Sequence, residues 1–215
     1  MNATTEQAQV LLQADKLTRR FGGLVANQDI SVTLERGMIH VLLGPNGAGK
    51  STCINMLSGD LPPSEGTIRF LGQDITALTA AQRSQVGIGR SYQRTNIFPQ
   101  FSVLENVRLA AQSRRQQPWR IFSQAMKQAW ALEKARACIE EAGLGKRVDW
   151  VSGVPSHGEQ PQLPIAMVPA TDAQVLLLDE PLAGMGSEET ASMVEVLKRL
   201  RPTRGTLLVE HDMDA

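Results

Sequence analysis

The chain has 215 residues, of which 42% are hydrophobic and 20% are charged, so it has enough apolar material for a globular core and is not a largely disordered protein. Its 22 lysines and arginines balance its 22 aspartates and glutamates, which disfavours a general nucleic-acid binder because no net positive charge attracts a phosphate backbone. Cys53 and Cys138 are far apart in the sequence, which indicates neither a disulfide framework nor a zinc site.

The first third of the chain consists of short, partly apolar runs separated by turns, a pattern typical of β-strands. Strands are expected within residues 10–21, within 31–44 with a turn at 35–37, and within 66–75. The sequence therefore predicts a β-rich N-terminal region.

The spacing of apolar residues becomes helical from Ser102 onward. Ser102 and Glu105 form a capping-box pattern, in which each side chain bonds the backbone N–H of the other residue at a helix start. A second helix is expected to begin after Pro118 and to end at Gly143. The middle of the chain is therefore predicted to be an α-helical insert.

The last part of the chain returns to strands. The continuous apolar run at 175–178 and the run at 206–210 predict strands buried on both faces. Between them, Ser187–Leu200 has helical spacing and is followed by Pro202, which cannot continue a helix. Strand, helix and strand in this order predict a parallel α/β sheet.

A glycine-rich segment between a predicted strand and a predicted helix has the pattern of a phosphate-binding P-loop. Glycines let successive backbone N–H groups surround phosphate oxygens, and the helix N-terminus adds positive potential. Lys50 is expected to reach the β- and γ-phosphates of a nucleotide, and the Ser51 hydroxyl to bind Mg²⁺. The predicted nucleotide-binding residues of this loop are Gly44, Pro45, Asn46, Gly47, Ala48, Gly49, Lys50, Ser51 and Thr52.

Two acidic residues, Asp179 and Glu180, follow the apolar run at 175–178. They lie at the carboxyl edge of the predicted sheet, where α/β proteins bind ligands. Asp179 is expected to hold the hydration shell of Mg²⁺, and Glu180 to polarise the water that attacks the γ-phosphate. Such an acid pair alone is more often a solvated strand end, and the preceding P-loop favours the catalytic interpretation.

Several motifs together resemble those of the ATP-binding subunits of ABC transporters. They are the P-loop, Ser156-His-Gly-Glu-Gln160, Leu178-Asp-Glu-Pro181 and Val209-Glu-His211, and the segments 21–24, 89–98 and 182–186 are most similar to the subfamily that imports branched-chain or hydrophobic amino acids. The resemblance covers nearly the whole chain. It implies an α/β fold with a P-loop NTPase core, an antiparallel β subdomain and an α-helical subdomain, and it implies ATP and Mg²⁺ as cofactors.

The resemblance also assigns roles to single residues. Phe21 matches the aromatic residue on which adenine stacks, and Gln93 matches the loop glutamine that touches Mg²⁺ and the attacking water. His211 matches the histidine that contacts the γ-phosphate. Ser156 and Gly158 match the signature segment, which in this family faces the γ-phosphate held by the opposite subunit. Glu180, His211 and Gln93 are therefore the expected catalytic residues, and Ser51, Gln93 and Asp179 the expected metal site.

Prolines around the signature segment depart from the family's pattern. The four positions are Pro155, Pro161, Pro164 and Pro169. A proline beyond the first turn of a helix removes a hydrogen bond and clashes with the preceding turn. We therefore expect no uninterrupted helix after Ser156, but a short helix that restarts with Pro164 in its first turn and kinks or ends before Pro169.

The motifs predict the ATP-hydrolysing subunit that energises import of branched-chain or other hydrophobic amino acids. Two alternatives stay open: a cassette that binds nucleotide but hydrolyses it poorly because of the prolines, and a soluble ABC ATPase that works outside transport. The first would bind ATP without turnover. The second normally has tandem cassettes or a long coiled-coil insert, and the sequence has neither.

The expected organisation is one ABC domain over 1–215, with the β-rich region and P-loop core at 1–96, the helical insert at 97–165 and the rest of the core at 166–215. Because relatives continue beyond His211, we expect that the chain is truncated at its C-terminus. No apolar run approaches the ~20 residues of a membrane span. The expected partners are membrane permease subunits and a second cassette, and the expected location is the cytoplasmic face of the inner or plasma membrane, with membrane contact only through the permease and with no nucleic acid bound.

Overall fold

A computed structural model of the chain describes residues 9–91, 97–113, 124–152, 162–183 and 185–210. The strands are β1 (Val10–Phe21), β2 (Leu24–Glu35), β3 (Ile39–Leu43), β4 (Glu65–Phe70), β5 (Gln73–Asp74), β6 (Ile88–Ser91), β7 (Val175–Asp179) and β8 (Gly205–Glu210). The α-helices are α1 (Lys50–Ser58), α2 (Ala80–Val86), α3 (Val103–Ser113), α4 (Gln124–Glu141), α5 (Gln162–Ala170) and α6 (Ser187–Leu200). Short 3₁₀ turns lie at Gly145–Arg147 and Arg201–Thr203.

The N-terminal strands form an antiparallel sheet in the order β2-β1-β4-β5. A tight turn at Gly22 and Gly23 joins β1 to β2, and Gly22 has a left-handed φ of 57° that suits glycine. Strand β1 has the bounds predicted from the sequence. The second strand begins at Leu24, seven residues before the expected range, because the hairpin continues the pairing up to the turn.

The second sheet is parallel, in the order β3-β8-β7-β6. Every residue of β7 and β8 is buried, as expected of strands covered on both faces. Side chains alternate along β7: Val175 and Leu177 pack with α1 and the antiparallel sheet, whereas Leu176 and Leu178 pack against α6. The predicted parallel α/β core is confirmed.

The helical part of the chain has its own core, to which α3, α4 and α5 contribute. The predicted capping box begins α3: the Ser102 N–H donates to Glu105 Oε2 at 2.9 Å, and the Glu105 N–H donates to Ser102 Oγ at 3.2 Å. These bonds from Ser102 lower the pKa of the Glu105 carboxyl group. The expected end of α4 is also confirmed, because the helix stops at Glu141 and Gly143 has a left-handed φ of 74°.

Two of the four unusual prolines lie in α5. Pro164 is the third residue of this helix, where a missing N–H does no harm, as predicted. The helix was expected to kink or end before Pro169; it does not end there, since α5 includes Pro169 and ends at Ala170. Its small residues Ala166 and Ala170 are fully buried in the helical core, and this packing offsets the lost hydrogen bond. Residues 153–161 lie outside the described ranges.

Asn106 in α3 is fully buried and holds two loops together. Its Oδ1 accepts a bond from the Phe98 N–H at 2.8 Å, and its Nδ2 donates to the Phe98 carbonyl at 3.1 Å and to Ser152 Oγ at 3.0 Å. The loop that precedes α3 is thereby joined to the segment that follows the Gly145–Arg147 turn.

Replacement of Asn106 by leucine, which has a similar size, is expected to destabilise the protein by about 3 kcal/mol, because the partly buried backbone groups of Phe98 and the buried Ser152 hydroxyl lose their partner. Thermal unfolding should then occur about 6–12 °C lower. The exposed Gln73, changed to leucine in parallel, is the control and should shift the midpoint by no more than about 2 °C. Equal midpoints for both variants would show that Asn106 does not hold the loops.

In the described ranges, none of the helices combines the length and apolar character that crossing a bilayer requires.

Candidate active site

The P-loop connects β3 to α1, as the sequence predicts. Gly49 caps α1 with a left-handed φ of 84°. A Cβ atom on Gly49 would lie 2.6 Å from the Ala26 carbonyl oxygen and 2.7 Å from Asn27 Nδ2. Both the backbone conformation and the close approach of β2 therefore require glycine at this position. Asn27 also donates a hydrogen bond of 3.2 Å to the Gly49 carbonyl, which fixes the loop against the antiparallel sheet.

Lys50 is a buried cation at the first position of α1. Its side chain turns back over the loop, and Nζ donates to the carbonyl oxygens of Gly44 and Pro45, the latter at 2.9 Å. A buried ammonium held by carbonyl dipoles at a helix N-terminus creates a site with positive potential. The neighbouring Ser51 hydroxyl is exposed beside it and Thr52 is half-buried. These groups suit an anionic ligand.

Asp179 ends β7, and its side chain is 5% exposed. One carboxylate oxygen, Oδ2, accepts a bond from Arg90 Nη2 at 3.1 Å. The other, Oδ1, is buried and has no hydrogen-bond partner among the described residues. Because a buried acceptor without a partner is unfavourable, this oxygen indicates a place for a cation or a water molecule.

Arg90 in β6 joins this carboxylate to α1 and to the residues after it. Its Nη1 lies 2.6 Å from Asn55 Oδ1, 2.9 Å from Ser58 Oγ and 2.7 Å from Asp60 Oδ2. Asn55 is one helical turn beyond Ser51, so Asp179 lies beside the helix that begins at the P-loop. Sequence reasoning missed Arg90; a charged residue within the short buried strand Ile88–Ser91 was the signal that could have found it.

Glu180 follows Asp179 with a left-handed φ of 50°, an unusual conformation for a residue with a side chain. Its N–H donates to the Val209 carbonyl at 2.9 Å, and its own carbonyl accepts from the Ala183 N–H at 3.2 Å. The chain therefore turns out of the sheet at Glu180. A left-handed φ also occurs at other residues with side chains, namely Lys16, Asp29, Leu71 and Asp172. This conformation therefore does not single out Glu180, whose catalytic role stays a prediction.

Glu210 is a second residue that sequence reasoning missed. It is buried at the end of β8, and its Oε1 accepts a bond from the Leu182 N–H at 3.1 Å. This bond ties the turn after Glu180 to the strand that precedes His211. A buried acid at a strand end was again the available signal.

Phe21 lies at the end of β1, and 45% of its surface is exposed. The guanidinium of Arg19 lies over its ring, 4.7 Å from the centroid. Arg19 pairs with Asn27 in the β1–β2 ladder, and Asn27 bonds Gly49. The hairpin end that carries Phe21 is thus on the P-loop side of the antiparallel sheet. The ring is partly exposed, although the Arg19 guanidinium covers one of its faces.

The other predicted site residues lie outside the described ranges. They are Gln93, Ser156, Gly158 and His211. Cys53, which directly follows the P-loop, is buried in the core, and burial raises the pKa of its thiol to about 11, which disfavours a reactive thiolate.

Oxygen ligands at this site suit Mg²⁺, which prefers carboxylate, hydroxyl, phosphate and water oxygens. Within the described ranges, no three His, Cys, Asp or Glu residues cluster so that they could hold a metal ion by themselves. A magnesium ion beside Asp179 Oδ1 and Ser51 would therefore take most of its ligands from phosphate and water. The residues present fit a metal that arrives with a nucleotide.

A sequence profile of the ABC transporter family matches residues 27–183. The match includes the P-loop, Arg90, Asp179 and Glu180, and it spans well over half of the chain. The chain belongs to the ABC transporter family. It is a nucleotide-binding cassette of the ABC ATPase type, and the resemblance and the fold class predicted from the sequence are confirmed.

Individual ABC proteins resemble the chain along most of its length. The high-affinity branched-chain amino acid transport ATP-binding protein LivG of Salmonella typhimurium is 35% identical, over 96% of this chain and 84% of its own. The corresponding protein BraF of Pseudomonas aeruginosa is 32% identical, over 94% and 82% of the two chains. A crystal structure of the ADP conformation of an ABC transporter cassette superposes with a TM-score of 0.79 at 26% identity, over 95% of this chain and 82% of that one.

Proposed function

We propose that the chain is the ATP-binding and ATP-hydrolysing subunit that energises import of branched-chain or other hydrophobic amino acids through membrane permease subunits. The similarity to LivG and BraF supports this substrate class. The observation that carries the hydrolytic part is the position of Asp179: Arg90 contacts both its carboxylate and Asn55 of α1, so a buried acid lies beside the helix that follows the P-loop.

Each residue of the site then has a role in nucleotide binding. The backbone N–H groups of 44–52 surround the phosphates, Lys50 contacts the β- and γ-phosphates, and the adenine stacks on Phe21. Ser51, Asp179 and Gln93 hold Mg²⁺, which when bound neutralises phosphate charge. Nucleotide binding itself is supported by family membership and by the ADP-bound relative of known structure.

Hydrolysis requires a group that activates water. We assign this role to Glu180, whose backbone turns out of the sheet directly after Asp179. His211 and Gln93 complete the proposed catalytic set. Glu210 holds the turn after Glu180 through its bond with the Leu182 N–H. Ser156 and Gly158 of one cassette face the γ-phosphate bound by a second cassette, so two cassettes pair head to tail.

The permease is expected to dock on residues 93–101. Phe98 and Phe101 in this segment are exposed, and their rings stack with centroids 5.3 Å apart. An exposed aromatic pair suits a protein partner better than solvent. Membrane association through this contact alone makes the chain a peripheral protein of the cytoplasmic face of the inner or plasma membrane.

The three segments inferred from sequence are retained with one adjustment. We propose that the helical region extends to Ala170 rather than to 165, because Leu163, Ala166 and Ala170 all pack in the helical core. The core that carries the nucleotide site then comprises residues 1–96 and residues 171–215.

Calorimetric titration of the purified chain with ATP, followed by measurement of phosphate release, tests the proposed activity. Binding that requires Mg²⁺ for full affinity, together with turnover, is the expected result. Binding without turnover would favour the alternative of a cassette impaired around its signature segment, and replacing Pro155, Pro161, Pro164 and Pro169 by Leu, Arg, Glu and Leu should then restore turnover. Absence of nucleotide binding would contradict the proposal.

Head-to-tail pairing predicts an ATP-dependent change in mass. A Glu180→Gln variant, which keeps ATP bound, is expected to scatter light as a monomer of 23.4 kDa without nucleotide and as a particle of about twice that mass with Mg²⁺ and ATP. ADP in place of ATP is the control and should leave the monomer. A mass that ATP does not change, in a variant shown to bind ATP, would argue against pairing around the nucleotide.

A further inference from the structure

Arg90 lies in segment 89–98, but its side chain is assigned no role from the sequence or in the proposed function. Its guanidinium joins α1 to the acidic end of β7. The side chain is 8% exposed and lies between two carboxylates, Asp60 and Asp179. Asp60 is partly exposed, whereas Asp179 is almost completely buried. Arg90 therefore supplies the charge compensation that a buried carboxylate needs.

The two ends of the guanidinium have different partners. Nη1 is held by three oxygens of α1 and the turn after it, whereas Nη2 donates to Asp179 Oδ2. Because the guanidinium is planar and rigid, fixing Nη1 also fixes Nη2. The position of the Asp179 carboxylate is thereby set relative to α1, the helix whose first residues form the phosphate site.

Only one oxygen of Asp179 is used in this contact. Oδ2 accepts from Arg90, and the Asp179 backbone N–H is close to Ser91 Oγ, at 3.4 Å. Oδ1 stays buried without a hydrogen-bond partner in the described part of the chain. Arg90 thus determines which carboxylate oxygen is left for another ligand, and a hard cation is the ligand that such an oxygen prefers.

We propose that Arg90 is a positioning residue that presents Asp179 Oδ1 to the magnesium ion of the bound nucleotide and keeps that oxygen at a constant distance from α1. This inference rests on the proposed function, since it assumes that the site binds a magnesium nucleotide. Arg90 itself touches neither the metal nor the phosphates. Its effect is on the Mg²⁺ dependence of nucleotide binding and not on the nucleotide alone.

The test compares the affinity for a fluorescent ADP analogue in Mg²⁺ and in EDTA, in the native chain and in Arg90→Lys. Lysine keeps the charge but cannot join α1 and Asp179 through one rigid group. The ratio of the affinity in Mg²⁺ to the affinity in EDTA is expected to be at least about tenfold smaller in Arg90→Lys than in the native chain. The reason is that removing a residue that orients a metal ligand costs about 10–100-fold in metal affinity. Affinity in EDTA should stay within about twofold of the native value.

Arg83→Lys is the matched control. Arg83 is also buried and contacts α1, where it donates to the carbonyl oxygens of Met56 and Leu57, but it does not contact Asp179. This variant is expected to melt at a lower temperature than the native chain but to keep the native ratio of the affinity in Mg²⁺ to the affinity in EDTA. The double variant tests whether Arg90 acts through Asp179. Once Asp179→Asn has reduced the rise in affinity caused by Mg²⁺, adding Arg90→Lys should not reduce it further.

The outcomes separate the two levels of the proposal. The role of Arg90 would be overturned if the ratio of the affinity in Mg²⁺ to that in EDTA stays native in Arg90→Lys. It would also be overturned if both affinities fall by the same factor. Either result would leave the proposed function intact. A native chain that does not bind the analogue would contradict the proposed function itself. Arg90→Gln repeats the measurement if the lysine variant does not fold, and unfolding of both variants would contradict the local role assigned here.

Discussion

Replacement of Lys50 by alanine is expected to weaken the binding of magnesium ATP at least a hundredfold. The ammonium lies in the P-loop, where its present partners are the carbonyl oxygens of Gly44 and Pro45. A nucleotide would exchange these partners for the β- and γ-phosphates, and two charge-assisted hydrogen bonds contribute about 3 kcal/mol or more together. About 1.4 kcal/mol corresponds to a tenfold change in affinity, and calorimetric titration measures it directly.

The control for Lys50→Ala is Lys146→Ala, which removes an equal charge from an exposed turn. This variant is expected to bind ATP as the native chain does. Circular dichroism should show that both variants keep the native helix content. Native affinity in Lys50→Ala would show that the P-loop lysine does not contact the phosphates, and the site assignment would then be wrong.

Glu180→Gln has the second large expected effect: turnover should fall by about 10²–10⁴-fold while ATP affinity stays close to native. Glutamine has the same shape as glutamate but cannot take a proton from water, and a general base contributes about this factor. The left-handed φ of 50° at this position is equally unfavourable for both residues, so backbone strain does not change. Phosphate release at saturating ATP is the measurement.

An exposed acid on α6, Glu188, gives the matched control. Glu188→Gln removes the same charge a short distance along the chain and should leave turnover within about twofold of native. If Glu180→Gln hydrolyses ATP at the native rate, water activation belongs to another residue. If it also loses ATP affinity, Glu180 acts in binding, not in the chemical step.

The elements that were predicted correctly from sequence are those with strong local signals. The helix Ser187–Leu200 has the predicted bounds because its apolar spacing is regular and Pro202 limits it. The capping box of Ser102 and Glu105 involves residues three positions apart, so the sequence alone contains all of its geometry. The P-loop was equally recognisable, since its glycines and its lysine all lie within the seven residues 44–50.

Residues whose bonding partners are far away in the sequence could not be predicted from local patterns. Arg90 and Asp179 are 89 positions apart, and Glu210 and Leu182 are 28 positions apart. Only the pairing of β6 and β8 with β7 brings these groups together. A buried charge must find a partner somewhere, but the sequence does not tell which one.

The end of α5 is a case in which packing outweighs local preference. Helix propensity places proline among the strongest helix breakers, and on that ground the helix was expected to kink or end before Pro169. The alanines on either side of it, Ala166 and Ala170, are fully buried against α3 and α4. Helix stability in proteins comes mostly from such packing, so the last turn persists through Pro169.

ATP-driven uptake by the assembled complex is the most direct test of the proposed function. The complex, purified through a tag on this chain with its membrane subunits and reconstituted in lipid vesicles, is expected to accumulate leucine only when ATP is supplied on the side that carries the cassette. The same complex with Glu180→Gln should bind ATP and accumulate none. Leucine uptake of equal rate with and without ATP, or in both the native and the Glu180→Gln complex, would contradict a role of this chain in energising the import.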